Sequence, residues 1–382
     1  MSETIARADI AVIGLGAMGA MTAWQAAAHG ASVVGIDRFT PGHDRGSSHG
    51  GSRIFRQLLF EGQEYVPIAR AARGLWRQLE RESDTNLLTT TGGLAIGSAD
   101  GSFIRDARAS AEAGGVEYEL LDTDRLRASY PQHAIFDDDV AVYEPEAGVL
   151  RPEAAIRAAI ELAMRNGAEI LTDTTVLSLE SGDGEVEVIT DHGTVRAKRA
   201  VVSTGAWFTD LIPELRLPLR IQRSCLAWFK GDPHEAFGPG QFPPFVRKSA
   251  HLDGWGIPDV DGRGVKVGAG PSAEKRWLDR PEDNWTAPTD FDLAPILAFV
   301  REDLPGLQIA DSYACMNSRT SDRDFVIGIS KENPDLVLLG GFSGHGFKHS
   351  AGVGRIAAEL ALEGATDIPI DRFSPDRFAS VA

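Results

Sequence analysis

The stretch from Asp9 to Asp37, DIAVIGLGAMGAMTAWQAAAHGASVVGID, constrains the fold of this chain more than any other. A short β-prone run, Ile10 to Ile13, leads into Gly14, Gly16 and Gly19 at the spacing G-x-G-x-x-G. A helix-suited segment, Ala20 to His29, and a second strand, Ser32 to Ile36, follow. That order predicts one βαβ unit. Gly14 permits the tight turn, Gly16 lets backbone approach a pyrophosphate, and Gly19 lets helix and strand pack closely. The helix N-terminus then offers N–H donors to the anion. Asp37, ending the second strand, is placed to accept from ribose hydroxyls. An ordinary glycine-rich turn would leave that acid unexplained. The unit therefore predicts a bound dinucleotide, without separating NAD(P) from FAD.

The remaining composition narrows the class. A chain of 382 residues with 43% hydrophobic content is long enough for two domains and a large core. Its formal charge of -17 disfavours nucleic acid or an anionic membrane as partner, because a phosphate surface calls for a basic one. The opening MSETIARAD lacks a basic segment before an apolar one, so no signal peptide is expected and the protein reads as soluble and cytoplasmic. Two cysteines, Cys225 and Cys315, make neither a disulfide framework nor a metal-ligand pattern.

Beyond Asp37 the polar, glycine-rich stretch RFTPGHDRGSSHGGSRIFRQ holds His43, His49, Arg53 and Arg56 in a predicted loop. Tyr65, Ile68, Ala69, Ala72, Leu75, Trp76 and Leu79 recur at helical spacing, predicting an amphipathic helix over Glu64 to Arg81 with its aromatic stripe in the core. Short strands at Leu94 to Ile96 and Glu117 to Leu121 lead to the acidic run Asp137 to Asp139, read as a solvated turn. Pro152 opens a helix that Asn166-Gly167 stops. Thr174 to Leu179, Glu185 to Thr190 and Thr194 to Ala197 suggest a meander with turns at Ser181 to Gly184 and Asp191 to Gly193. Ala200 to Ser203 reads as a separate buried strand ending in TGAW. From Leu217 to Asp311 the pattern is strand-like and proline-rich. The tail returns to α/β character, with Leu336 to Leu339 apolar, GGFSGHGFKHS a glycine-rich turn and Ala351 to Leu362 helical.

Four features are candidates for chemistry: the loop Gly46 to Arg56, Lys266, Cys315 and the turn Gly340 to Lys348. Each has a plain structural alternative. His49 suits a polar turn, Lys266 in GVKVG suits a solvent-facing strand position, and Cys315 suits a small buried hydrophobe. His345 and Lys348 open the last predicted helix, where a cation opposes the helix dipole unless something anionic lies near.

Taken together, GLGAMG with Asp37, GSSHGGSRIFR, TGAW, GVKVG, ACMNSR and GFSGHGFKHSAGVG span nearly the whole chain in order. This set resembles the monomeric sarcosine oxidase and N-methyltryptophan oxidase family of FAD-dependent amine oxidases. The resemblance implies an α/β fold: a Rossmann-like FAD-binding domain, here residues 1–86, 146–216 and 312–382, with an interleaved β-sheet-rich substrate domain, residues 87–145 and 217–311. It also implies covalent FAD joined through its 8α-methyl to Cys315, a small-molecule amine and O2 as reactants, and a monomer.

By matching motif, Lys266 corresponds to the oxygen-activating lysine, and His49 and Arg53 to positions lining the flavin's face and its access route. These three form the expected catalytic set. Arg56 and Lys348 would hold a substrate carboxylate, the first with two hydrogen bonds and the second as a point charge. The expected cofactor contacts are Gly14, Gly16, Gly19, Asp37, Ser48, Val176, Gly205, Cys315, Gly344, His345, Gly346 and Lys348. The glycines of the tail turn would let backbone approach the flavin, and the helix beyond would favour negative charge on it.

Three positions depart from the family pattern. Asn317 stands where tyrosine commonly follows Cys-Met, Trp255 replaces tyrosine before GIP, and Gly270 replaces a frequent histidine. Asn317 and Trp255 are expected to shape the amine side of the pocket. Gly270 would make room for a larger substrate side chain stacked on Trp255, unless Trp255 narrows the site. The implied activity is oxidation of a secondary or N-methylated amino acid, sarcosine, N-methyltryptophan and pipecolate among the options. A hydride passes to FAD, the imine is hydrolysed and O2 becomes H2O2. An NAD(P)-dependent dehydrogenase and a non-catalytic flavin-binding protein are the alternatives.

Overall fold

The computed structural model describes residues 3–182, 184–270 and 276–381; Asp183 of the expected Ser181 to Gly184 turn lies outside them. The opening unit is a strand Thr4–Ile13, a helix Ala17–Ala28 and a strand Val33–Ile36. The two strands pair in parallel from Ile10 against Val33. Gly19 falls inside the helix, where a Cβ would stand 1.8 Å from the Gly14 carbonyl oxygen. The helix is alanine-rich because it is buried on nearly every side, packed between the helices Pro152–Arg165 and Ser350–Glu363. Close packing leaves no spare volume there. A Cβ on Gly354 would come 2.4 Å from that of Met21.

Among the described residues the first sheet has eight strands. Its parallel part runs Glu169–Leu171, Val33–Ile36, Thr4–Ile13, Thr194–Val202 and Leu336–Gly340. The two runs expected at Thr194 to Ala197 and Ala200 to Ser203 are one strand that changes partner. Its first half pairs antiparallel with Glu185–Thr190, and its second half pairs in parallel with Leu336–Gly340. Lys198 and Arg199 interrupt the apolar pattern without breaking the strand, since Lys198 is exposed and Arg199 pairs with Asp335. The amphipathic helix runs Val66–Ser83 after a 3-10 turn Gln63–Tyr65, with Trp76 in the core.

The second sheet has nine strands among the described residues. The strand Arg220–Lys230 pairs along its length with Gln308–Arg319, and on its other side with Arg276–Leu278 and Val265–Ala269. Beyond Val265–Ala269 come Asp253–Ile257, Phe245–Lys248, Gly93–Ser98, Asp139–Glu144 and Glu119–Leu121. The boundary drawn between residues 311 and 312 thus falls inside a strand of this sheet, because Gln308–Arg319 continues its ladder through Cys315.

Two further expectations are corrected. The stretch Leu217 to Asp311 is not all strand. A helix spans Asp290–Asp303, started by a capping box between Thr289 and Asp292 and buried through Ile296, Phe299 and Val300. Asp139 is no part of a solvated turn: it is fully buried and paired with buried Arg247, which also holds Asp303. The other two acids of that run, Asp137 and Asp138, are exposed, and Asp137 lies 2.6 Å from Arg127 Nη2. Among the described residues no helix is long and apolar enough to cross a membrane, and no group of three or more His, Cys, Asp or Glu side chains is set to hold a metal.

Candidate active site

A cavity of about 790 Å³ runs from the glycine loop to the inner face of the second sheet. At one end lie Gly14, Gly16, Asp37, Ser48, Val176, Thr204 and Gly205. Gly14 has φ +86, and a Cβ there would lie 2.7 Å from the Ser203 carbonyl oxygen, so the turn excludes side chains. Gly16 is the N-cap of the first helix and brings no capping side chain of its own, and Gly16, Ala17 and Met18 line the cavity. Ala17 N–H is taken by the Ser48 hydroxyl at 3.3 Å. Asp37 accepts from Leu15 N–H at 2.6 Å and Phe39 N–H at 2.8 Å. Gly19 does not line the cavity; it packs behind the turn.

Midway, the loop Gly46 to Arg56 is shaped by Glu153, which accepts from Gly50 N–H at 2.6 Å and Gly51 N–H at 3.0 Å. Arg53 lines the cavity and is held by the Ser52 and Ser47 carbonyl oxygens at 2.8 and 2.9 Å. Lys266 is fully buried rather than turned to solvent. Its ammonium donates to the carbonyls of Gly50 at 3.0 Å and Ser52 at 2.5 Å, and stands 5.7 and 5.9 Å from the rings of Trp228 and Trp255. Burial, with Arg53 nearby, pushes its pKa well below the usual lysine range. Lys266 and His49 are both buried just behind the cavity wall and not on it.

Cys315 is on the wall. It shares a sheet face with Ser224, its cross-strand partner, and clusters with Leu226, Trp228 and Trp255. Burial alone would push the thiol up, but His49, Arg53 and Lys266 overrule it and bring the pKa to about 6. Cys225, on the next strand over, goes the other way: burial and Asp292 push it to about 12. Of the two thiols only Cys315 is set to be an anion near neutral pH.

At the far end stand Arg56 and Lys348. Arg56 Nη2 donates to Glu61 Oε1 at 2.5 Å and Nη1 to the Leu58 carbonyl, while its guanidinium stacks on Phe60 at 3.9 Å. Lys348 Nζ lies 3.3 Å from the same Glu61 oxygen and donates to the His345 carbonyl at 2.9 Å. Lys348 sits in a 3-10 turn, Phe347–His349, one turn before the helix Ser350–Glu363, and Trp76 Nε1 donates to its carbonyl at 3.0 Å. Against the pull of burial, the two cations hold the Glu61 carboxyl well below the usual range. Burial lowers Lys348 to about 8 although Glu61 opposes it, and burial lowers His345 to about 4, leaving that ring neutral. The anion that the Lys348 position calls for is therefore Glu61, a residue the sequence reading missed.

On the second sheet, Trp255 and Asn317 line the cavity, with Asn317 Nδ2 3.4 Å from Ser224 Oγ. Gly270 leaves no room for a larger substrate group. A Cβ there would lie 1.7 Å from Asp253 Oδ1, so the Asp253 carboxylate already fills the space.

Comparison with known proteins decides the family. Residues 9–360 match the model of the family described as FAD dependent oxidoreductase. The chain belongs to this family. It is 36% identical to a monomeric sarcosine oxidase of Streptomyces avermitilis, over 97% of this chain and 98% of that one. It is 31% identical to an N-methyl-L-tryptophan oxidase of Yersinia pestis, over 97% and 99%. In fold this FAD-dependent oxidoreductase matches an L-proline dehydrogenase from P. horikoshii at a TM-score of 0.86, with 22% identity over 98% of this chain and 99% of that one. The open choice between NAD(P) and FAD is thereby resolved to FAD, and the dehydrogenase alternative falls.

The residues present fit FAD. The helix N-terminus and the side-chain-free turn at Gly14 and Gly16, on the cavity wall, suit a pyrophosphate. The buried Thr204 hydroxyl on the cavity wall has no hydrogen-bond partner among the described residues. At the opposite end Gly344, His345 and Gly346 line the cavity beside Lys348 and across from Cys315's strand. Among the residues of this flavoenzyme's cavity that were not singled out in the sequence are Glu61 and Asp253. An unexplained acid five residues after Arg56 was the available signal for Glu61; for Asp253 there was none, since only its contact with Gly270 places it.

Proposed function

We propose that the protein is an oxidase of secondary or N-methylated amino acids that uses O2 as electron acceptor, releases H2O2 and carries its FAD covalently on Cys315. The observation that carries this reading is the convergence of Arg56 and Lys348 on one carboxylate oxygen, at 2.5 and 3.3 Å, in the cavity that also holds the acidified Cys315 thiol. A substrate carboxylate would take the place of the Glu61 oxygen, with Arg56 fixing its orientation and Lys348 adding charge. FAD, when bound, supplies a hydride acceptor for the carbon next to nitrogen and returns the electrons to O2. Lys266, kept in place by the Gly50 and Ser52 carbonyls, would stabilise negative charge developing on oxygen from behind the wall. Arg53 adds positive charge to that region, and the names of the two aligned relatives support an N-methylated substrate. The protein would act as a monomer in the cytoplasm.

The test is anaerobic mixing of purified protein with sarcosine, N-methyltryptophan, pipecolate and proline, followed by bleaching of the flavin absorbance and by peroxide formation on admitting air. Bleaching by at least one N-methylated or cyclic amino acid is expected. A flavin that stays oxidised with every member of the panel would overturn the reading.

A further inference from the structure

Side chains alternate along the strand Gln308–Arg319, so Cys315, Asn317 and Arg319 share the face that lines the cavity. The Arg319 Nε–H is buried and has no acceptor among the described residues. Burial and the neighbouring Arg323, which also lines the cavity, both work against its charge. Its cross-strand partner is another arginine, Arg220, which stacks on Trp277 at 4.1 Å. Like charges opposite each other on a ladder repel, and a buried donor left without an acceptor is costly. The acids that follow in the chain are already taken. Asp322 accepts from Arg377 at 2.8 Å, and Asp324 from Arg372 at 2.9 Å and from the Tyr65 hydroxyl at 2.7 Å.

Arg319 is tied by a short path to the carboxylate anchor. Phe342 makes an isolated antiparallel bridge with Arg319, His345 N–H donates to the Phe342 carbonyl at 3.1 Å, and the His345 carbonyl accepts from Lys348 Nζ at 2.9 Å. The ends of so tight a turn lie within about 7 Å of each other, so Arg319 and Lys348 flank the two ends of one turn. Inside it, a Cβ on Gly344 would lie 3.3 Å from Asn317 Nδ2. We propose that Arg319 receives a second carboxylate of the substrate, so that the preferred substrates are N-methylated amino acids with an acidic side chain. The proposal rests on the amino-acid oxidase reading above and adds the substrate class. The α-carboxylate is held by Arg56 and Lys348, the stem crosses Asn317 and Gly344, and the side-chain carboxylate meets Arg319, whose guanidinium can give it two parallel hydrogen bonds. Arg323, exposed at the mouth, adds an attraction that solvent screens.

The experiment compares N-methyl-L-glutamate with N-methyl-L-glutamine, which keeps the stem and lacks the charge, as reductants of the bound flavin and in kcat/KM. The parent protein is expected to favour the glutamate compound by about tenfold or more, which is about 1.4 kcal/mol. That preference should persist at about 1 M salt, where the screening length is about 3 Å and long-range attraction by Arg323 is removed. Arg319→Met should bring the ratio to about one, and Arg319→Lys should keep part of it. If Arg319→Met does not fold, the parent ratio at high salt and its reduction in Arg319→Lys decide. Equal efficiency of the two compounds in the parent, a preference that disappears at high salt, or a ratio untouched by substitution of Arg319 overturns the second carboxylate site and leaves the oxidase reading standing. Failure of both compounds and of sarcosine to bleach a bound flavin overturns the oxidase reading, and this proposal with it.

Discussion

One oxygen of the Glu61 carboxylate lies 2.5 Å from Arg56 Nη2 and 3.3 Å from Lys348 Nζ, so the two cations at the end of the cavity are already joined by an acid of the chain itself. A ligand carboxylate competes with it. Glu61→Gln should therefore tighten the binding of a simple carboxylate such as acetate by about tenfold at pH 6, the scale of one charge-assisted hydrogen bond. Perturbation of the flavin spectrum reads the affinity. Unchanged or weaker binding would mean that Glu61 does not occupy the anion position.

Lys348 titrates near 8 because it is buried beside Arg56, with Glu61 only partly restoring it. Its charge is present below that pH and lost above it. KM for a carboxylate substrate should rise as pH passes from 7 to 9, with kcat changing less, and the rise should vanish in Lys348→Met. A KM that is flat over that range in the parent would remove Lys348 from the anchor.

A thiol at about 6 is mostly thiolate at pH 7. In flavin-free protein, the alkylation rate of Cys315 against pH should have its midpoint near 6 and move upward in His49→Gln, as followed by mass spectrometry. In the holoprotein, acid denaturation should leave flavin on the polypeptide, and Cys315→Ala should release it. Flavin that washes out of the unmutated protein contradicts covalent attachment.

Lys266 is fixed by backbone acceptors from the loop that carries Arg53, and it does not line the cavity. Lys266→Met is expected to slow reoxidation of the reduced protein by about 100-fold or more, the scale seen on removing one preorganised electrostatic group. Anaerobic reduction should change far less. Stopped-flow measurement of the two half-reactions separates them, and equal slowing of both would deny it a role towards oxygen.

Arg247 ties Asp139, in the second sheet, to Asp303 at the end of the helix Asp290–Asp303, and His133 Nδ1 lies 3.2 Å from Asp303. Removing one partner strands buried charge. Arg247→Ala should cost about 3–5 kcal/mol, visible as a lowered Tm; a loss under about 1 kcal/mol would mean that water reaches the pair.

The nucleotide end was readable because its chemistry is local. Gly14, Gly16, Gly19 and Asp37 act through one turn and one helix start, and spacing along the chain is enough to place them. Lys266 was ambiguous for the opposite reason. In GVKVG, alternation says only that it faces away from the valines, and whether that side is solvent or interior depends on the Gly46 to Arg56 loop lying across it. Asp139 misled in the same way: three consecutive acids look solvated until Arg247, more than a hundred residues on, is folded against one of them.

The sequence by itself determined the βαβ unit and a bound dinucleotide, since these rest on residue types at fixed short spacing, whereas Cys315, Arg56 and Lys348 stood out through the resemblance of widely separated motifs to one family. Only the tertiary structure decided what those groups meet. Glu61 reaches Lys348 across 287 positions, His49 and Lys266 reach Cys315 from two other segments, and the Asp253 carboxylate takes the place of a side chain missing at Gly270. Charge, burial and steric exclusion act through space, so the pKa of a thiol and the occupant of an anion site become legible once distant strands are laid side by side.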